Sequence, residues 1–160
     1  MTKVALVTGA SGGIGREIAL TLAKSGFDIG IHYRSGEEQA KSLYNEIGSL
    51  GRRAALLKGD LSGSDDCKNV VESCVFELGG LYALINNAGI TDDALFMRME
   101  DEQFEKVMKA NLNSCFYCTR EALSHLVKAR QGRIINISSV VGITGNIGQA
   151  NYAASKAAII

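Results

Sequence analysis

Five short apolar runs, each followed by a polar or glycine-rich segment and then by a stretch of helical periodicity, constrain this 160-residue chain more than any other feature. The runs KVALVT (3–8), DIGIHY (28–33), AALLKG (54–59), YALIN (82–86) and RIINIS (133–138) read as strands. Apolar residues at helical spacing cover 13–25, 36–50, 64–78 and 101–130. Strict alternation of strand and helix needs right-handed crossovers, so it predicts a parallel sheet with helices on both faces. Near-continuous apolarity further predicts strands buried on both sides. The expected architecture is a doubly wound α/β fold, with residues 1–160 forming one domain.

Composition excludes several function classes. Hydrophobic residues make up 46% and charged residues 21%, without internal repeat or low-complexity tract, as in a folded globular domain. Seventeen basic and seventeen acidic residues cancel, so no global field favours nucleic acid or an anionic membrane. The apolar run at the start is too short for an export signal, and no segment approaches membrane-spanning length. A cytoplasmic setting is expected, with Cys67, Cys74, Cys115 and Cys118 reduced. Cys115 and Cys118 form a C-x-x-C inside a predicted helix without a second pair, which reads as packing thiols and not as a metal site. Asn136-Ile137-Ser138 matches a glycosylation sequon but falls in a strand predicted to be buried.

In a doubly wound sheet, ligands bind beyond the carboxyl ends of the strands, where strand order reverses. TGASGGIG, YRSG, GDLSG, NNAG and SSVVG all fall there. TGASGGIG leaves the first strand and opens the first helix, placing Gly9, Gly13 and Gly15 where backbone can approach a pyrophosphate and helix N–H groups can hold it. The same glycines also suit a plain turn. Their Gly-x-x-x-Gly-x-Gly spacing differs from the commoner Gly-x-Gly-x-x-Gly pattern and points to one branch of the Rossmann-type three-layer sandwiches. After the second strand stand His32, Tyr33, Arg34 and Ser35. No carboxylate is there to accept from an NAD ribose, while Arg34 and Ser35 suit the extra phosphate of NADP, so NADP(H) is the expected cofactor. Asp60 after the third strand suits an adenine amino group, or a turn cap.

Tyr152 and Lys156 lie at i and i+4, on one face of a helix, and Ser139 ends the fifth strand near the same sheet edge. A phenol is a poor acid–base catalyst at neutral pH, and an adjacent ammonium favours its ionised form. Lys156 stands where it can do this for Tyr152, and Ser139 where it can bond the substrate oxygen.

Taken together, Thr8 to Gly15, Asn86 to Gly89, Asn111, Ser139 and Y-x-x-x-K at Tyr152 to Lys156 resemble the short-chain dehydrogenases/reductases, in order over the whole chain. The resemblance implies that Tyr152 is the general acid/base, that Lys156 lowers its pKa and binds the nicotinamide ribose, that Ser139 orients the carbonyl and that Asn111 supports a water-linked proton relay. It implies cofactor contacts at Gly9, Ser11, Gly12, Gly13, Ile14, Gly15, Arg34, Ser35, Asp60, Leu61, Asn87, Ala88, Gly89, Tyr152 and Lys156, and substrate contacts at Ser139, Gln149 and Tyr152. The surrounding text NNAGITDDALFMRM, GRIINISSVVG and GNIGQANYAASKA is similar to the 3-oxoacyl-[acyl-carrier-protein] reductases of fatty acid synthesis. Related enzymes reduce acetoacetyl-CoA, sugars, polyols or steroids, and a non-catalytic nucleotide-binding protein is the alternative from another class.

Gly12 departs from this pattern, because many NADP-dependent members carry a basic residue there. An acidic acyl carrier protein as partner needs basic contacts, for which Arg98, Lys128, Arg130 and Arg133 are candidates. The resemblance also implies a homotetramer, in which Phe104, Met108, Phe116 and Leu123 fit either a core or an interface. Members of the family continue beyond the segment that begins at Tyr152. The chain is accordingly expected to be an N-terminal portion of a longer enzyme, with an exposed fifth strand and its C-terminal part missing.

Overall fold

The computed structural model describes residues 3–160. In chain order these form β1 (Val4–Val7), α1 (Gly13–Lys24), β2 (Asp28–Tyr33), α2 (Glu37–Ser49), β3 (Ala54–Lys58), α3 (Ser64–Leu78), β4 (Ala83–Asn86), α4 (Asp101–Met108), α5 (Ser114–Ala129), β5 (Arg133–Asn136), α6 (Val141–Thr144) and α7 (Ala150–Ala157). All five strands run parallel in the order β3-β2-β1-β4-β5. Strand order therefore reverses between β1 and β4, as expected for a doubly wound sheet, and a crevice opens where those two strands end.

Alternate residues of each strand face opposite layers of helix. Leu6, Leu57 and Leu84 pack with Val71, Cys74, Cys118 and Leu126 of α3 and α5. Val7, Ile29, Ile31 and Ile85 pack on the other face with Leu20 of α1 and with Leu43 and Ile47 of α2. Each such side chain contributes about 1.5–3 kcal/mol by leaving water, so the central strands dominate cohesion. Helix ends follow local chemistry. Asp65 and Asp66 occupy the first turn of α3, where carboxylates complement the helix dipole, and Gly79 ends that helix in the left-handed region at φ 85°. All four cysteines are free, and Cys67, Cys74 and Cys118 serve as buried packing groups while Cys115 is half-buried.

Three expectations need correction. Burial on both faces holds for β1, β2 and β4 but not for β3, which alternates, nor for β5, where Arg133, Ile135 and Asn136 are exposed. The reason is position: among the described residues β5 pairs only with β4 and packs on α5, so its apolar sequence has no second layer there. The sequon at Asn136 therefore lies on an edge strand, although the side-chain Oδ1 of Asn136 accepts from Asn86 Nδ2 at 2.9 Å. Finally, the single helix expected over 101–130 is two helices joined by a turn of π-helix at Lys109–Asn113. Such turns insert a residue into a helix and often mark functional positions. Here Asn111 sits in it.

No described helix is long and apolar enough to cross a membrane.

Candidate active site

The crevice between β1 and β4 is closed by side chains from both strand ends. Thr8 Oγ1 donates to the Ile85 carbonyl at 3.2 Å and accepts the N–H groups of Asn87 and Ala88, each at 2.9 Å. Asn87 Nδ2 returns two bonds, to the carbonyls of Thr8 at 2.9 Å and Gly9 at 3.2 Å. Asn86 ties β4 to α5 and β5 through Thr119 Oγ1 and Asn136 Oδ1. Both asparagines thus anchor strand ends, the plainer of the two roles open to them.

The glycine turn is built for close approach. Gly9 and Gly13 have φ of 64° and 54°, and a Cβ on Gly15 would lie 2.2 Å from the Gly9 carbonyl oxygen. Only hydrogen fits there. Helix α1 starts with no side-chain cap and no acidic residue in its first turn, so its leading N–H groups face the crevice without a competing anion. A cleft of about 300 Å³ runs from Gly9 and Ser11 past Arg34 and Asp60 to Ala88 and Gly89. Gly12, Ser35 and Leu61 also line it, whereas the Ile14 side chain, 65% exposed, faces outward. Asp60 Oδ1 accepts the Ser62 N–H at 3.0 Å, and bonds from Ser62, reinforced by the charge of Arg34, hold its carboxyl below the usual range.

His32 was singled out by sequence only as a neighbour of Arg34, yet it organises this cleft. Its Nδ1 accepts the Gly9 N–H at 3.0 Å, and its Nε2 faces the Gly59 carbonyl at 3.2 Å. An Nδ1 that accepts must be unprotonated, so the neutral Nε2–H tautomer joins β2 to the segments that follow β1 and β3. Burial pushes the His32 pKa down to about 4. A buried imidazole bonded at both nitrogens leaves no signal in a linear sequence.

The residues expected to react lie at the neighbouring strand ends. Lys156, 4% exposed, reaches from α7 to the Ile137 carbonyl at 2.8 Å, and its Nζ lies 5.8 Å from the Tyr152 ring centroid. Burial holds its ammonium below the usual lysine range. Asn111 Oδ1 accepts the Ile90 N–H at 2.8 Å, and its Nδ2 donates to the Ile90 carbonyl and to Ser155 Oγ. Gly89 marks where these elements meet, because a Cβ there would stand 3.2 Å from Asn111 Oδ1 and 3.6 Å from Lys156 Nζ. Ser139 follows β5 and its Oγ accepts the Val141 N–H at 3.2 Å, starting α6. Gln149 is turned to Asp93 and Asn146 through both ends of its amide. Sequence reading missed Ser138, whose hydroxyl donates to the Lys156 carbonyl at 2.7 Å, and Ser155, which joins Asn111 to the Tyr152 carbonyl.

These residues fit a dinucleotide. The glycine turn and uncapped helix suit a pyrophosphate, and Lys156 spends one of its three N–H donors on Ile137, with no other acceptor among the described residues.

The sequence model of the short chain dehydrogenase family matches residues 3–160. The chain belongs to that family. Within it, the chain is 44% identical over 160 residues to the 3-oxoacyl-[acyl-carrier-protein] reductase FabG of Staphylococcus aureus, covering all of this chain and 65% of that relative. Identity to the protein of the same name from Staphylococcus epidermidis is 40% over 160 residues, covering 66% of it. Nodulation protein G of Rhizobium sp. is 46% identical over 158 residues, with 63% of it covered. A crystal structure from Sinorhizobium meliloti 1021, assigned to the short-chain alcohol dehydrogenases, superposes with a TM-score of 0.94 at 32% identity, covering 98% of this chain and 62% of that one. The chain therefore spans about 65% of the length of the curated relatives it matches.

The carrier-contact candidates divide by position. Arg98 lies on the strand-end side that holds Tyr152, and Lys128, Arg130 and Arg133 surround the junction of α5 with the start of β5, at the opposite pole. All four are exposed. Phe104, Phe116 and Leu123 are 39%, 57% and 44% exposed, so the core reading fails for them, and Met108 is half-buried.

Proposed function

We propose that this chain carries the cofactor and reaction centres of an NADPH-dependent reductase of 3-oxoacyl thioesters, presented on an acyl carrier protein. The observation that supports it most is the meeting of Gly89, Asn111 and Lys156 beside Tyr152, at the end of the cleft that begins at the glycine turn. When bound, the reduced nicotinamide supplies a hydride to the ketone carbon. Tyr152 gives its phenolic proton to the developing alkoxide. The Lys156 ammonium beside it stabilises the phenolate left behind. Ser139 donates a hydrogen bond to the carbonyl oxygen and orients it, with Gln149 at the outer edge of the substrate space. Asn111 holds the loop after β4 against Ser155 and so keeps the relay end of the site in register.

Arg34 and Ser35, both exposed at the end of β2, would pair with the extra phosphate of NADP. The names of the Staphylococcus relatives support a carrier-linked substrate, and Arg98 is the carrier contact this chain itself offers near Tyr152. A homotetramer accords with the exposed apolar side chains along α4 and α5.

The reading is tested by NADPH absorbance with an acetoacetyl thioester in the native protein. Turnover is expected, with a loss of about 100-fold or more in Tyr152→Phe, the range for removing a positioned proton donor. Turnover unchanged by Tyr152→Phe rejects the mechanism, and preference for a polyol or steroid over the thioester rejects the substrate.

A further inference from the structure

One polar junction next to Tyr152 has no part in the chemistry proposed above. Asn151 has no exposed surface. Its Oδ1 accepts the backbone N–H of Tyr152 at 2.8 Å, while its Nδ2 donates to the carbonyls of Asp92 at 2.8 Å and Gln103 at 3.3 Å. One amide therefore joins the first turn of α7, the segment after β4 and helix α4.

The arrangement is unusual for a helix start. First-turn N–H groups have no partner within the helix, and the residue before it normally caps them with a side-chain oxygen. Gln149 holds that place but makes no cap bond, because its amide is engaged by Asp93 and Asn146. The N–H of the residue that bears the phenol is instead held by its own neighbour. Around Asn151 lies a second layer: the Asp92 carboxylate accepts Gln103 Nε2 at 2.8 Å and Lys106 Nζ at 2.7 Å, and the Ala94 N–H donates to the Gly148 carbonyl at 2.9 Å.

A side chain that merely filled this space could be apolar, and one that merely capped could be serine or aspartate. Accepting from one element while donating to two others requires a primary amide. We propose that Asn151 is the positioning residue for Tyr152, setting the start of α7, and with it the placement of the phenol, against Asp92 and Gln103. The inference rests on the reading that Tyr152 is the proton donor.

The test uses the native protein and compares Asn151→Ala, Asn151→Ser and Tyr152→Phe. Each variant is measured for kcat, KM and the pH profile of kcat with an acetoacetyl thioester, for NADPH affinity by fluorescence, and for its thermal midpoint. Misplacing a reacting group by about 1 Å costs about 100-fold in rate, the loss expected for kcat in Asn151→Ala. NADPH affinity should stay within about twofold, and the pH limb of kcat should move, which lost stability alone does not cause. Should Asn151→Ala fail to fold, Asn151→Ser keeps an oxygen near the Tyr152 N–H and should lose about tenfold in kcat. A kcat within about threefold of the native value in the folded, NADPH-binding variants, with an unmoved pH profile, overturns the proposal. If Tyr152→Phe is inactive in that same case, only the positioning role falls. If Tyr152→Phe remains active, the proposed function falls with it.

Discussion

Helices α1 and α7 each open onto the same crevice, yet they are held in place by different forces. The buried residues of α1 are Gly15, Ala19, Leu20 and Ala23, packed on strands that are themselves fully buried. The buried residues of α7 are Asn151, Ser155 and Lys156, all polar. Helix α1 is thus seated by apolar burial, which is non-directional. The reactive half is stitched by hydrogen bonds, which impose direction and leave little slack. A cleft for a large cofactor needs shape, whereas proton transfer needs orientation.

The sharpest test of that contrast is a pair of lateral neighbours in the sheet. Ile85 in β4 and Ile135 in β5 are direct register partners, 2% and 48% exposed respectively. Ile85→Ala should cost about 3 kcal/mol in urea unfolding, and Ile135→Ala less than about 1 kcal/mol. Equal costs would mean that β5 has a covering layer in solution.

His32 predicts an effect of similar size that depends on pH. Its native pKa is about 4 against an ordinary 6.5, so between those values the unfolded chain binds more protons than the native one. Stability therefore falls as pH drops through this window, by about 3 kcal/mol when complete. His32→Asn, which removes the titrating group, should flatten the acid limb of a stability-versus-pH curve, and an unchanged limb would assign the loss to other groups. NADPH affinity should instead hold through this window and fall only as pH passes about 4, where the native imidazole itself takes a proton on Nδ1 and loses its bond from Gly9.

A smaller effect is expected at Gly12. Its backbone is extended, at φ −165°, and a Cβ there meets nothing within 4 Å. Gly12→Arg should therefore be accommodated and gain about 1 kcal/mol, or about fivefold, in affinity for NADPH over NADH. Equal gains for both cofactors would place the arginine on the pyrophosphate instead.

The smallest expected change in stability lies at Lys156. Its native pKa is lowered by burial, so the unfolded state binds more protons between that value and 10.5, and stability rises with pH across the window. Lys156→Met should raise the thermal midpoint at neutral pH while abolishing turnover, the gap narrowing toward pH 10.5. A lower midpoint at every pH would show the bond to Ile137 outweighing the burial.

Much of the nucleotide half was legible in the sequence, because strand alternation, the glycine spacing and the residues after β2 are local patterns. In the reactive half, only the i,i+4 spacing of Tyr152 and Lys156 and the place of Ser139 after the fifth strand were open to such reading. Asn111 looked like an ordinary helical residue because the partner of its side chain, Ile90, lies 21 positions away. Asn151 depends on Asp92, 59 positions away, and was not singled out at all.

The amino-acid sequence by itself determined the doubly wound α/β class, the backbone turn for an anion and the pairing of a phenol with an ammonium, since each follows from neighbours along the chain. Tertiary structure alone decided which residues of β3 and β5 stay uncovered, that His32 is neutral and that α7 is hung from Asp92 and Gln103. Periodicity marks a face as apolar without saying whether anything covers it. The partner of a buried polar group is chosen by how the chain crosses itself.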